Sequence, residues 1–491
     1  MQTNRAWRII AFIIVLTIAF GPISLIYSRP TNILTGNLSL RSHIDSLVQK
    51  YNADKIHLAL KVVALPENQV MYSRNQDDPM IIASNTKLFS TAAALCKLTP
   101  DFKFTTSLSY DGNITNNVLN GNLVVRSNGD PNISGRFHAN RPTAVFEKWS
   151  SALAGLGIKQ VNGNIIIDDS AFDREFCPPA WPKDQLNFWY CAPVAAVSFN
   201  DNCVYLSVFA NSRGGIGYSL NPPTRYVNVN LDVSIDRKIS RNQISFTRAE
   251  GTNDITVRGK LAPRAGAAGD YITIHNPPMF FGTVLAETLA GNGIGIKGNI
   301  QSVNNVYKPD SKLVRICEEQ SGLLPTISVV NKNSHNFYAE QVMRAMAYSS
   351  GGKGSAEKGT EIISDFLTDE VGVKNDNFAI YDGCGLTRGN RFSTNHIVGL
   401  LTYLYGNKYF QPYRDSLNTE KWNLRGGRPE IWAKSGYLTN ALAVSGYALR
   451  KNTSNSYYAF SLLVNDYQGV RNGFTNARAF RNDFIKLMRE Q

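Results

Sequence analysis

The sequence predicts an α/β (α+β) domain of antiparallel sheet and helices, split by a long β-rich insertion. Three observations carry this. Helix and strand patterns alternate up to about residue 100. From Pro100 to about Gly298 the chain turns to short strands punctuated by Gly, Asn and Asp. After Val303 helical spacing returns, and the chain closes on two strong strands and a helix. A length of 491 residues has room for roughly three domains. With 43% hydrophobic and 18% charged residues the body is globular.

The elements follow in order. Arg5 and Arg8 precede an apolar run from Ile9 to Tyr27, 19 residues broken only by Gly21-Pro22. That pattern reads as an export segment over residues 1–30, either a removed signal peptide or a retained anchor. Leu40, Ile44, Leu47 and Val48 mark a first helix. Ile56 to Leu65 reads as a strand, with Val70-Met71-Tyr72 as its hairpin partner. Ser84 to Leu98 reads as a helix with Leu88, Ala92 and Leu95 on one face. In the insertion, strands are expected at 121–125, 163–168, 227–233 and 254–259. The Gly-Asn-apolar theme at Gly121, Gly163 and Gly298 is spaced irregularly and is read as shared turn chemistry, not a solenoid repeat. Beyond it come helices over 335–348 and 357–367, strands over 440–450 and 457–464, and a closing helix marked by Phe480, Phe484, Leu487 and Met488. No low-complexity linker intervenes, so the insertion is expected to pack on its host.

Composition narrows the function classes. There are 51 Lys+Arg against 38 Asp+Glu, a formal charge of +13. That favours an anionic partner, but the basic residues are spread and not gathered into aromatic-flanked patches, which argues against nucleic acid. No C-x-x-C or H-E-x-x-H occurs, and the six histidines form no ligand cluster, so no metal or cofactor is expected. The six cysteines are too few for a disulfide scaffold, though Cys191 and Cys203 flank a short loop and are candidates for a bridge.

Three short patterns carry chemistry. Ser84-Asn85-Thr86-Lys87 sets a serine and a lysine one helical turn apart. A serine hydroxyl needs a base, and a lysine serves once its pKa is lowered. Ser334-His335-Asn336 opens a later helix. Its hydroxyl suits proton relay, and its amide suits either a substrate carbonyl or the orientation of the lysine. Lys434-Ser435-Gly436 lies at a strand and suits an extended peptide ending in carboxylate. Ser355-Ala356-Glu357-Lys358 also fits S-x-x-K but reads as a helix cap, and Gly293 to Gly298 fits G-x-G-x-x-G but reads as a turn. Serine opening a helix, S-x-N opening a later helix and K-S-G before a strand pair form an ordered Ser-Lys set.

With these motifs the chain resembles the D-alanyl-D-alanine carboxypeptidase/endopeptidase family of the penicillin-binding protein 4 type. The resemblance runs from about residue 35 to the C-terminus. Gly129-Asp130-Pro131, the Tyr190–Ala196 segment, Asn331 to Glu340 and Asp382 to Arg388 add to it, as does the gap of 250 positions between Ser84 and Ser334. The resemblance implies a serine DD-peptidase/β-lactamase-like domain over 31–100 and 302–491. It also implies two additional domains, one over 101–113 and 190–301, the other over 114–189. It implies hydrolysis of peptidoglycan stem peptides and cross-links outside the cytoplasmic membrane, with β-lactams as covalent inhibitors. Ser84 would form the acyl-enzyme, Lys87 take its proton, and Ser334, linked to Lys87 and Lys434, pass a proton to the leaving amine. Asn336 would bind the substrate amide, and Lys434, Ser435 and Gly436 the carboxylate end. The backbone N–H groups of Ser84 and Tyr437 would form the oxyanion hole.

The chain departs from the family pattern at His335 in place of Asp, Ser435 in place of Thr, and Cys384 in place of Ser. The departure at Cys384 raises a cysteine-nucleophile reading, disfavoured for lack of an orienting partner. Two other functions stay open on sequence alone: a β-lactamase of the same superfamily, and a catalytically weak peptidoglycan-binding scaffold.

Overall fold

The first and last parts of the chain build one sheet. In the computed structural model, which describes residues 33–211, 214–374, 377–423, 427 and 430–491, its strands run antiparallel in the order Gln69–Arg74, His57–Leu65, Tyr457–Asn465, Ala441–Leu449, Ile431–Leu438. The export segment expected over 1–30 lies outside the described residues. Side chains alternate between the faces of a strand, and here both faces are covered. Ala59, Val63, Ala459 and Leu463 point to one core, with Leu88 and Phe89 of the helix Thr86–Leu98 and Phe337 of the helix Asn336–Ser349. Leu58, Leu60, Val62, Leu462 and Val464 point to the other, with Leu40 and Ile44 of the helix Ile33–Lys50 and Phe480 and Phe484 of the helix Gly473–Arg489. Burial on both sides is why these strands read as nearly unbroken apolar runs.

The insertion has its own core, built on Leu123, Val125, Trp149, Ile165, Phe281 and Leu285. It also packs on its host, as expected: Phe172, Trp181, Ala192 and Val194 belong to the core that holds Leu88 and Phe337. Strand pairing groups its segments differently from the split expected at 113. Lys103–Tyr110 lies between Leu123–Ser127 and Val314–Gly322, in a sheet continued by Ile165–Asp168 and Ile300–Val303. Residues 101–113 thus share a sheet with 114–189, and so does the end of the stretch assigned to 190–301. The strands Cys203–Ala210, Ile216–Asn221 and Ala268–Thr273 form a separate sheet.

The Gly-Asn theme corrects a second expectation. Its three copies stack as the rungs of a short solenoid. Asn122 Oδ1 accepts the Asn164 N–H at 2.8 Å, and Asn164 Oδ1 accepts the Asn299 N–H at 2.8 Å. The strands that follow, Leu123–Ser127, Ile165–Asp168 and Ile300–Val303, pair in parallel. The irregular sequence spacing hid this, because the loops between rungs differ in length while the corners do not. The corners also require glycine: a Cβ on Gly163 would lie 2.2 Å from the Gly121 carbonyl oxygen. Cys191 and Cys203 are both buried free thiols and form no bridge.

The corner geometry predicts a contrast. Gly163→Ala destabilises the protein by more than about 2 kcal/mol, because backbone must move to admit the methyl group. Gly291→Ala, at the end of the helix Pro277–Gly291 with nothing within 4 Å of the added carbon, stabilises it by up to ~1 kcal/mol. Urea unfolding of the two variants checks both.

Candidate active site

The two halves of the sequence meet at Ser84. It lies in a single 3₁₀ turn, Ala83–Asn85, which leads into the helix Thr86–Leu98, and it is partly exposed. The α-helix therefore begins two residues later than the spacing predicts. Ala83 holds φ at 48°, a left-handed conformation that costs a non-glycine residue about 1–2 kcal/mol. Two glycines press on this turn. A Cβ on Gly436 would lie 2.5 Å from the Ile82 carbonyl oxygen, and one on Gly385 would lie 1.9 Å from that of Ala83. The glycines of K-S-G and D-G-C-G are thus needed for close backbone approach to the serine.

Lys87 is fully buried one turn along the helix. Its Nζ lies 3.1 Å from Ser84 Oγ, 2.6 Å from Asn336 Oδ1 and 2.6 Å from the Cys384 carbonyl oxygen. Burial lowers its pKa, against the charges of Cys384, Asp382 and Glu340, which raise it. The partners define what the amine can do. Asn336 Oδ1 and the Cys384 carbonyl only accept, so they take two N–H bonds of the amine whatever its charge. The third direction of the amine is toward Ser84 Oγ, a group able both to accept from it and, once the amine is neutral, to donate to it.

Asn336 is committed to this arrangement at both ends, since its Nδ2 donates to the Tyr190 carbonyl at 2.8 Å. Of its two expected uses, the geometry favours orienting the lysine. Ser334 closes the helix Leu323–Asn333 in a left-handed conformation, φ 58°. Its Oγ accepts from Lys434 Nζ at 2.7 Å, which also donates to the Ser435 carbonyl at 2.7 Å. The pKa of Lys434 is pushed well down by burial, then by the charges of Lys87 and Lys421.

The strand Ile431–Leu438 is the edge of the sheet. The Ala433 N–H points outward to the Asn418 carbonyl. Backbone groups alternate along a strand, so the N–H groups of Ser435 and Tyr437 share that outer edge. Tyr437 is exposed, its ring 5.9 Å from that of Phe474.

The remaining residues singled out from the sequence divide cleanly. Cys384 is fully buried, burial first and then the charges of Asp382 and Glu340 hold its thiol pKa well up, and its contribution is the carbonyl given to Lys87. That disposes of the cysteine-nucleophile reading. Its loop is fixed by Asp382, which accepts from the Gly385 and Thr387 N–H groups, each at 2.7 Å, and from Trp181 Nε1 at 3.2 Å. Asp130 is a buried joint, accepting from Ser321 Oγ at 2.7 Å, beside the start of the helix that carries Ser334. Ser355 caps the helix Ala356–Asp365 through the Lys358 N–H, as expected. His335 turns away from the serine toward the insertion, its Nε2 3.3 Å from Asp201 Oδ2. Asp201 also takes Arg136 at 3.0 Å and Tyr338 OH at 2.9 Å. Beside this cluster a cleft of about 590 Å³ opens between the Ser334–His335 turn and the insertion, lined by Trp189, Asp201, Asn221, Asp270 and Tyr271.

Sequence reasoning missed Asp201 and Lys421. The Nζ of Lys421 lies 3.0 Å from Ser435 Oγ. Neither residue sits in a recognisable motif, and only the fold brings them to the site.

A partly exposed serine within hydrogen-bond reach of a buried lysine, beside an open sheet edge, defines a Ser-Lys acyl-transfer hydrolase. The chain belongs to the D-Ala-D-Ala carboxypeptidase 3 (S13) family, whose sequence pattern matches residues 40–483. It is 25% identical over 452 residues to the D-alanyl-D-alanine carboxypeptidase of Actinomadura sp. (strain R39), covering 88% of this chain and 81% of that one. It is 26% identical over 348 residues to the D-alanyl-D-alanine carboxypeptidase DacB of Haemophilus influenzae, covering 70% of each. Its fold is similar to the crystal structure of penicillin binding protein 4 from Haemophilus influenzae, with a TM-score of 0.73 at 21% identity, over 91% of this chain and 99% of that one. The protein is a serine-type D-Ala-D-Ala carboxypeptidase, and the expected fold class is confirmed.

The Asp201 cluster gives a pH-dependent test. Burial pushes its carboxyl up, but the hydrogen bond from His335 and the charges of His335 and Arg136 outweigh that and hold it at about 2, below the ordinary 3.8. Its stabilisation is therefore full above about pH 4 and lost as pH falls toward 2. Asp201→Asn lowers stability by roughly 2 kcal/mol at pH 7 and leaves less acid-labile stability to lose, measured by urea unfolding at pH 7 and pH 3.

Proposed function

We propose that the protein hydrolyses the terminal D-Ala-D-Ala bond of peptidoglycan stem peptides through an acyl-enzyme on Ser84. The observation that carries this is the Lys87 environment: two pure acceptors hold the buried amine 3.1 Å from Ser84 Oγ. In this reading Lys87 takes the hydroxyl proton as Ser84 attacks the carbonyl carbon. The N–H groups of Ser84 and Tyr437 stabilise the oxyanion. Ser334, held by Lys434, passes a proton to the leaving amine. Lys434 and Ser435 hold the terminal carboxylate, and Gly436 lets the strand approach the serine. Water then attacks the ester carbon and releases Ser84. β-Lactams react at the same serine; the Haemophilus influenzae penicillin binding protein 4 has been solved in complex with a β-lactam.

The cleft beside Ser334 and His335 favours a second use of the same chemistry, cleavage of cross-links. A cross-linked substrate carries a second stem peptide on the leaving side, and a cleft of about 590 Å³ gives it room. The location we propose is outside the cytoplasmic membrane, reached through the segment 1–30. The formal charge of +13 suits an anionic wall. Among the described residues no helix is long and apolar enough to cross a membrane, so membrane contact in this reading rests on that segment alone.

Labelling with a fluorescent penicillin followed by peptide mapping tests the assignment. The adduct is expected on Ser84; Ser84→Ala abolishes it and Ser355→Ala leaves it unchanged. Equal loss in both variants, or an adduct elsewhere, refutes the assignment.

A further inference from the structure

The substrate-carboxylate end of the site holds a lysine outside all three motifs. Lys421 precedes the strand Ile431–Leu438, and its Nζ reaches Ser435 Oγ at 3.0 Å. It is near enough to Lys434 for its charge to depress that lysine's pKa. Its own pKa is lowered, first by burial of the amine and then by the charges of Arg481 and Arg478 on the helix Gly473–Arg489. Arg478 lies over the Phe474 ring, at 5.5 Å, and Arg481 over the Trp422 ring, at 5.9 Å. Among the described residues, no acidic side chain forms an ion pair with Lys421, Arg478 or Arg481. These cations are gathered at a cost that no paired carboxylate offsets among the described residues.

Such a cluster is built for an anion that comes and goes. Ser435 marks where that anion sits: its Oγ accepts from Lys421 Nζ, and its backbone N–H lies on the open edge of the strand. A carboxylate arriving there accepts from the Ser435 hydroxyl and meets the Lys421 ammonium in the same step. We infer that Lys421 is a specificity-determining residue that binds the C-terminal carboxylate of the substrate, with Ser435, and makes the enzyme selective for peptides ending in a free carboxylate. Lys421 thus adds a second cation to the carboxylate end that Lys434 already serves, while Lys434 also keeps its bond to the Ser334 hydroxyl. The inference rests on the proposed reading of Ser84 and the strand edge.

The test compares two substrates on the full chain: an N-acylated peptide ending in D-Ala-D-Ala, and the same peptide with a C-terminal carboxamide. Lys421→Met is expected to lower kcat/KM for the free acid by about 10- to 100-fold, the worth of one charge-assisted hydrogen bond. The carboxamide loses less than the free acid, since no substrate charge is there to lose, so the ratio of kcat/KM for acid over amide falls by about tenfold or more. Lys421→Arg restores at least part of the preference for the acid. The Lys421 side chain keeps access to solvent although its amine is partly desolvated, and an unchanged urea midpoint verifies the fold of each variant. Equal loss on both substrates, or loss on neither, overturns the assignment of Lys421. Failure of the underlying reading looks different: the parent enzyme itself would turn over neither peptide and take up no penicillin at Ser84.

Discussion

The site depends on one buried amine. Lys87 lies in the core, where its charged form loses hydration, and that loss outweighs the neighbouring acidic groups. A lysine in water is protonated at neutral pH and cannot act as a base. Burial moves Lys87 toward the base that the proposed mechanism needs, and the acceptors Asn336 Oδ1 and Cys384 O fix where its amine sits. The rest of the molecule holds those two acceptors still. Asn336 is tied to the Tyr190 carbonyl, and the Cys384 loop is tied to Asp382 and through it to Trp181. Tyr190 and Trp181 both come from the insertion, so the inserted segment is a wall of the site as well as an appendage.

The second constraint is backbone proximity. The turn that carries Ser84 is squeezed between the Gly385 loop and the edge strand at Gly436. Ala83 accepts a left-handed conformation in that position. The strain is held by the sheet: Asn85 Nδ2 donates to Ser445 Oγ at 2.7 Å, and Ser445 Oγ bonds to Ser461 Oγ at 2.9 Å, one polar thread across two central strands. A serine on so short a turn stays partly exposed while its neighbours Asn85, Thr86 and Lys87 are fully buried.

Much of this was legible in the sequence, for physical reasons. The strands His57–Leu65 and Tyr457–Asn465 are covered on both faces, so their apolar runs are long and plain. Ser84 and Lys87 are one helical turn apart, a local relation that spacing reports directly. What was hidden is what only tertiary contact creates. The asparagine ladder joins Asn122, Asn164 and Asn299 across loops of unequal length, so no period marks it. The pairing of Lys103–Tyr110 with Val314–Gly322 joins segments some two hundred residues apart, which no local pattern marks. Asp201 and Lys421 carry no local signature at all. His335 departs visibly from the family pattern, but its partner Asp201 lies far away in the sequence and only the fold supplies it.

The central claim is that burial makes Lys87 the base that activates Ser84, with Glu340 among the charges opposing the shift. Burial first, and then Asp382, pushes the Glu340 carboxyl up to about 7, so above that pH it is a buried anion that holds the pKa of Lys87 up. The most direct measurement is the pH dependence of Ser84 acylation by a penicillin in the parent protein and in Glu340→Gln. The account predicts a rate that rises with pH to an inflection below the ordinary lysine value of 10.5, and an inflection lower still in the variant. An inflection at the ordinary lysine value, or one that Glu340→Gln leaves in place, would contradict it.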